Sequence, residues 1–118
     1  MIGIDLIKTE RMGRFIDRFG DEALRRFLCE SEISLIKNHK TAAGFWAAKE
    51  ACAKALGCGI GSECGFHDIL LSKTPKGAPR LELSERVRDR FRITDVSVSI
   101  THDGEYAISV VALERTSA

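Results

Sequence analysis

Residues 41–57 read TAAGFWAAKEACAKALG. Alanine and larger apolar residues run round nearly the whole circumference, so a helix here has almost no solvent face and must be buried. The pattern predicts a helix over 42–56, stopped by Gly57 as its C-cap. Charges in such a helix are costly to bury unless each is paired or holds an ion. Glu50 and Lys54 stand four residues apart, so they share a face and can pair with each other.

Outward from this helix the chain divides in two. On the N-terminal side, 1–7 reads as a strand in which Ile2, Ile4 and Leu6 share one face and Gly3, Asp5 and Ile7 the other. Thr9 is a candidate cap for a helix carrying Met12, Phe15, Ile16 and Phe19, ended by Gly20. A short segment follows over 21–28. Ser31 is a candidate cap for a third helix over 32–39. On the C-terminal side, 57–61 is a glycine-rich loop, GCGIG. Strands are predicted over 68–72 and 80–83, joined by a turn at Pro75, Gly77 and Pro79. Ser84 caps a short amphipathic helix. Strands over 95–102 and 106–114 form a hairpin, with Asp103-Gly104 as the turn signal. The expectation is an α+β domain over 1–118, a small antiparallel sheet packed with a long buried helix. So apolar a helix has more surface than a small sheet can cover, which points weakly to an oligomer.

Composition narrows the function. The 118 residues carry 18 basic and 17 acidic side chains, a net charge of +1. That balance argues against a general nucleic-acid binder. No apolar run approaches the ~20 residues of a membrane span. Charges at Asp5, Lys8, Glu10 and Arg11 exclude a signal peptide at the start, so the expected location is the cytoplasm. Cys29, Cys52, Cys58 and Cys64 match no zinc-site spacing and read as small residues in a reducing cell.

Four features could carry chemistry. Asp5 is a carboxylate inside a strand, a poor place for it. Either it lies on an edge strand in water, or it meets Glu50 across the strand–helix interface. Two carboxylates with waters and phosphate completing the shell is a usual way to hold Mg2+ at phosphoryl-transfer sites. The glycines at 59 and 61 permit close backbone approach to a phosphate. His102 ends a strand beside the hairpin turn, where it is either solvated or an acid, base or phosphate contact. Arg11, Arg14 and Arg18 form a stripe beside the apolar face of the first helix. Residues 8–26 hold six basic and four acidic side chains. The stripe is either a solvated face or a docking surface for an acidic partner.

Together these blocks resemble the holo-acyl-carrier-protein synthase family, the trimeric group of phosphopantetheinyl transferases. Gly3-Ile4-Asp5-Leu6 with Glu10-Arg11 is similar to the family's opening. Phe45-Trp46-Ala47-Ala48-Lys49-Glu50-Ala51-Cys52-Ala53-Lys54-Ala55-Leu56-Gly57-Cys58-Gly59 resembles its K-E-A-x-x-K motif. Phe66-His67-Asp68-Ile69, Gly77-Ala78-Pro79 and Val98-Ser99-Ile100-Thr101-His102-Asp103, then Tyr106-Ala107, follow in the family's order. Many members have arginine where this chain has Phe45, and Trp46 takes the Phe place. A contact made by that arginine is absent here or replaced, with Lys40 and Lys37 as candidates. Cys58 and Ala78 also depart from the common residues.

The resemblance implies transfer of 4′-phosphopantetheine from coenzyme A to a serine of acyl carrier protein, in fatty acid biosynthesis, with release of adenosine 3′,5′-bisphosphate. It implies Asp5 and Glu50 as Mg2+ ligands, and Lys54 and His102 as catalytic groups near the pyrophosphate. It further implies Gly59 and Gly61 in the coenzyme A cradle, Arg11 against the carrier protein, and a homotrimer with sites between subunits; on the docking reading of the stripe, Arg14 and Arg18 meet the same acidic partner. For the serine proton, Glu50 acting through a metal-bound water stands first and His102 second. A coenzyme A or carrier-protein binding module on the same fold, and a different Mg2+-dependent phosphoryl enzyme using water as nucleophile, are the alternatives.

Overall fold

A computed structural model describes residues 1–117. The strand β1 (Ile2–Lys8) leads into helix α1 (Thr9–Phe19), followed by the short helices α2 (Asp21–Arg25) and α3 (Glu30–Ile33) and the long helix α4 (His39–Leu56). A single 3-10 turn, Phe66–Asp68, precedes β2 (Ile69–Lys73) and β3 (Pro79–Leu83). Helix α5 (Glu85–Phe91) and the hairpin β4 (Ile93–Asp103) and β5 (Tyr106–Arg115) complete the chain. β1, β5 and β4 form one antiparallel sheet in that order, and β2 and β3 form a second. The α+β expectation holds.

The three-stranded sheet and α4 meet through glycines. Gly3 lies beneath the α4 backbone so closely that a Cβ there would overlap the Ala51 carbonyl oxygen and lie 2.6 Å from the Ala55 nitrogen. At the other end of the helix, a Cβ on Gly44 would stand 2.9 Å from Ile100 Cγ2 and 3.1 Å from His102 Nε2. α4 therefore crosses the sheet diagonally, its first half over β4 and its second half over β1. This contact decides which face of β1 points inward. Gly3 and Ile7 are buried, Asp5 is half-buried, and the alternating apolar set Ile2, Ile4 and Leu6 faces out at 74%, 58% and 55% exposure. The rest of α4 is covered by α1, β2, Glu32 of α3 and Phe27 after α2. The surplus apolar surface is thus on the sheet's outer face, with Val110, and not on the helix.

Several boundaries differ from the sequence reading, each for a local reason. α4 begins three residues early because Asn38 caps it, its Oδ1 accepting from the amides of Lys40 (2.9 Å) and Thr41 (3.1 Å). The third helix, expected over 32–39, is instead the four-residue α3, Glu30–Ile33. Cys29, not Ser31, occupies its N-cap position, and the Glu32 carboxylate accepts from the Cys29 amide at 2.8 Å. Thr9 is not a cap either: it is the first residue of α1, and its amide and hydroxyl both donate to the Glu105 carbonyl, clamping α1 to the hairpin. Asp103 pairs with Tyr106, so the hairpin loop is Gly104-Glu105, one residue later than the expected turn. Ser84 caps α5 as expected, accepting from the Val87 amide. Gly57, at φ 81°, closes α4.

Candidate active site at the β1–α4 contact

Asp5 points from β1 toward α4 because it shares the inward face with Gly3. It is on an edge strand, as one reading had it, yet its side chain is only 14% exposed. Lys54 reaches across to it: Nζ donates to Asp5 Oδ1 at 2.9 Å and to the Ile4 carbonyl at 3.2 Å. The expected Glu50–Lys54 pair within the helix is therefore not made, since Lys54 gains two acceptors on β1 instead. Glu50, one turn back, has no hydrogen bond or ion pair to any described residue. Its carboxyl is nevertheless close enough to feel its neighbours: burial first, then the Asp5 charge, push it above the ordinary carboxylate range, while Lys54 and Arg11 pull against the shift. Among the described residues no cluster of three or more His, Cys, Asp and Glu converges on a metal-sized site. What converges is a pair of carboxylates with one flanking ammonium.

The residue before Glu50 was missed as a partner of distant groups. Lys49 is fully buried, and its Nζ donates to the Phe27 carbonyl (2.7 Å), Glu32 Oε1 (2.9 Å) and the Phe66 carbonyl (3.0 Å). Glu32 Oε2 accepts from the Leu71 amide at 2.9 Å. Burial lowers the Lys49 pKa and the hydrogen bond and charge of Glu32 oppose it. The sequence signal was there: a lysine in a run of buried alanines requires an acid, and C-x-x-E at 29–32 offers one.

Beside the carboxylate pair, Arg11 lines an apolar cavity of about 180 Å³ with Ile7, Met12, Phe15 and Trp46. The stripe continues along α1. Arg14 pairs with Glu10 at 3.5 Å with both side chains exposed, and Arg18 lies over the Phe19 ring. Arg26, from beyond α2, stacks over Phe19 at 4.3 Å and Phe15 at 5.5 Å. The result is one basic and aromatic face that includes Trp46, which contacts Phe15, Phe27 and Phe66.

His102 is not brought to the carboxylates within this chain. It pairs with Ala107, and Ile7 lies on that same row, whereas Asp5 is on the Ser109 row. Two strands across and two residues along separate Asp5 and His102 by about 12 Å. His102 is exposed, and because a carbonyl only accepts, its Nε2–H donates to the Lys40 oxygen at 2.8 Å, leaving Nδ1 open. It lines a cavity of about 160 Å³ with Thr41, Gly44, Phe45, Lys73, Gly77, Pro79 and Ile100. Lys73, singled out by no motif, is the cation beside it, whereas Lys40 and Lys37 do not line this cavity. A wider groove of about 460 Å³ between β3 and β4 shares only Pro79 with that cavity and does not include His102, Asp5, Glu50 or Lys54.

The glycine loop is partly self-satisfied. The Gly59 amide donates to the Ala53 carbonyl at 3.2 Å and the Gly61 amide to the Cys64 carbonyl at 3.0 Å. At these two positions the loop offers shape and closeness, not spare donors. The cysteines are free, and burial pushes the Cys52 and Cys64 thiols up to about 12, so both are inert at neutral pH.

Comparison with known proteins follows the same outline. Residues 1–111 match the family model described as the 4'-phosphopantetheinyl transferase superfamily. The chain is 61% identical over 118 residues to a protein of Sulfurimonas denitrificans named holo-[acyl-carrier-protein] synthase, covering all of this chain and 98% of that one. It is 60% identical to the protein of that name from Wolinella succinogenes, with both chains fully covered. Among solved structures, the Helicobacter pylori holo-[acyl-carrier-protein] synthase in complex with coenzyme A superposes at a TM-score of 0.94 with 47% identity, over 97% of this chain and 100% of that one.

Proposed function

The chain belongs to the 4'-phosphopantetheinyl transferase superfamily, and on that footing we propose that it is a holo-acyl-carrier-protein synthase, moving 4′-phosphopantetheine from coenzyme A to a serine of apo acyl carrier protein. The observation that carries this reading is the meeting of Asp5, Glu50 and Lys54 at the β1–α4 contact. The serine oxygen bonds to the phosphorus on the pantetheine side, the phosphoanhydride bond breaks, and adenosine 3′,5′-bisphosphate leaves. Such a displacement asks for positioning and charge neutralisation more than covalent catalysis, so no activated nucleophile is needed in this chain.

The carboxylate pair fits a divalent cation. Glu50 is without a hydrogen-bonding partner among the described residues, half-buried and within reach of a second acid's charge, a donor set that hard cations such as Mg2+ take. Asp5 and Glu50 would hold it. When bound, Mg2+ supplies charge neutralisation for the pyrophosphate. Lys54 is held against Asp5 and stabilises negative charge on the leaving group. For the serine proton, Glu50 stands first by its place beside Asp5 and His102 second. The Arg11, Arg14 and Arg18 stripe, with the Phe15–Trp46 cavity, receives the acidic carrier protein, and Gly59 and Gly61 shape one wall of the coenzyme A cleft.

His102 fits this scheme only across a subunit boundary, since it lies about 12 Å from Asp5 in its own chain. That separation and the exposed Ile2, Ile4, Leu6 and Val110 face support a homotrimer with active sites between subunits, each chain one transferase domain over 1–118. No helix among the described residues is long and apolar enough to cross a membrane, and the charge balance favours neither nucleic acid nor lipid, in keeping with a cytoplasmic enzyme. Intact-mass spectrometry of apo carrier protein incubated with coenzyme A, Mg2+ and this protein tests the reading. A gain of one phosphopantetheine, lost with chelator, is expected. No gain, with acceptor and donor verified by another transferase, refutes it.

A further inference from the structure

The segment of α4 around Glu50 is built almost wholly of small residues. From Ala47 to Ala53 every buried side chain is alanine or cysteine except that of Lys49. Small side chains on a smooth helix, resting on Gly3, set how closely the helix lies on the sheet but resist rotation about its axis poorly. Lys49 is different in kind. Its three hydrogen bonds go to the Phe27 carbonyl after α2, the Phe66 carbonyl in the 3-10 turn, and Glu32 in α3, while Glu32 is itself fixed by the Cys29 and Leu71 amides. Three segments outside α4 thus converge on one ammonium on the side of the helix away from the three-stranded sheet, and a fourth, β2, is tied in through Glu32. Every acceptor is occupied, so rotation in either direction strands buried polar groups, each at a cost of ~1–3 kcal/mol.

Glu50 follows Lys49 by one residue, about 100° round the helix. Its carboxylate lies some 6 Å from the axis, so a 20° rotation of α4 would sweep it about 2 Å. That is the full length of a Mg2+–oxygen bond, in a coordination sphere that tolerates little distortion. We propose that the buried Lys49–Glu32 pair is a positioning element: it sets the rotation of α4 and so aims Glu50 at Asp5. The proposal rests on the reading of Asp5 and Glu50 as the cation-binding pair.

The test uses Glu32→Gln/Lys49→Met, which removes both charges while keeping side-chain length and an acceptor for the Leu71 amide. Mn2+ is titrated into protein with saturating coenzyme A, and binding is read from water-proton relaxation. A roughly tenfold weaker Mn2+ affinity is expected at full folding, with kcat reduced and KM for carrier protein unchanged. A control, Val87→Ala, loses stability at a buried site on α5 and should keep Mn2+ affinity within twofold. If the double variant does not fold, Glu32→Gln alone is expected to weaken Mn2+ about threefold. Affinity equal to that of the unsubstituted protein in whichever variant folds overturns the positioning role and leaves the metal reading intact. No Mn2+ binding by the unsubstituted protein, beyond that of coenzyme A alone, overturns both.

Discussion

Gly3→Ala should cost this protein far more activity than Gly44→Ala, although both place one methyl under the same helix. At Gly3 the new Cβ would meet backbone: the Ala51 carbonyl oxygen, overlapped outright, and the Ala55 nitrogen at 2.6 Å. Backbone of a hydrogen-bonded helix cannot swing aside as a side chain can. Restoring even the Ala55 contact to the ordinary 3.4 Å moves that part of α4 off β1 by about 0.8 Å, and the Ala51 overlap demands more. Glu50 and Lys54 ride on that stretch. A shift of that size strains the 2.9 Å Lys54–Asp5 bond and displaces Glu50 relative to Asp5. Misplacement of about 1 Å at a reacting centre costs on the order of 100-fold in rate, and overpacking of this kind ~1–3 kcal/mol in stability. At Gly44 the neighbours are Ile100 Cγ2 at 2.9 Å and His102 Nε2 at 3.1 Å, both ends of side chains that can turn away. That substitution should cost less than tenfold in kcat. Initial rates of carrier-protein modification at saturating substrates, with thermal unfolding alongside, separate the two. Gly3→Ala with turnover within threefold of the unsubstituted protein would refute the claim that close β1–α4 contact assembles the site.

The other expectations follow from the same geometry. Asp5→Ala or Glu50→Ala should abolish Mg2+-dependent transfer with circular dichroism unchanged; near-normal turnover in either counts against the pair as cation ligands. Lys54→Ala should lower kcat strongly while coenzyme A binding, read by calorimetry, changes little. Arg14→Glu should raise KM for carrier protein and leave that for coenzyme A unaltered, and carrier KM should rise with salt even in the unsubstituted protein. Asp68→Asn should destabilise the fold by ~1–2 kcal/mol at neutral pH. Burial alone would raise the Asp68 carboxyl, but bonds from Ser84, Gly65 and Arg86 outweigh it and hold it below the ordinary value. Its folded pKa being depressed, that contribution is present above about pH 4 and is lost as the pH falls further, so urea midpoints of the Asn and Asp proteins should draw together in acid.

The long helix, the hairpin and the first strand were legible because each rests on a local signal: an all-round apolar run, a glycine turn, an alternation. What alternation cannot tell is which face of a strand turns inward. In β1 the three branched residues look like the buried set, yet they face out, because the helix needs a glycine beneath it and Asp5 shares that glycine's face. The burial of Asp5 is thus a consequence of Gly3, a long-range steric fact with no periodic signature.

The charged residues of α4 teach the complementary lesson. Spacing pairs Glu50 with Lys54, but spacing compares residues only along one helix, and the two lysines flanking Glu50 find acceptors elsewhere, on β1 for Lys54 and on Glu32 for Lys49. A tertiary acceptor set wins because each ammonium carries three donors and a lone i, i+4 contact satisfies only one of them. Among the described residues Glu50 is left without a hydrogen bond for the same reason: the cations nearest to it in sequence are committed to other acids. An acid stripped of its local partners, half-buried and within reach of a second acid's charge is raised in energy in the free protein. A divalent cation bound there, as proposed, would relieve it, and the two lysines would then prepare the site by where they point as well as by the charge they carry.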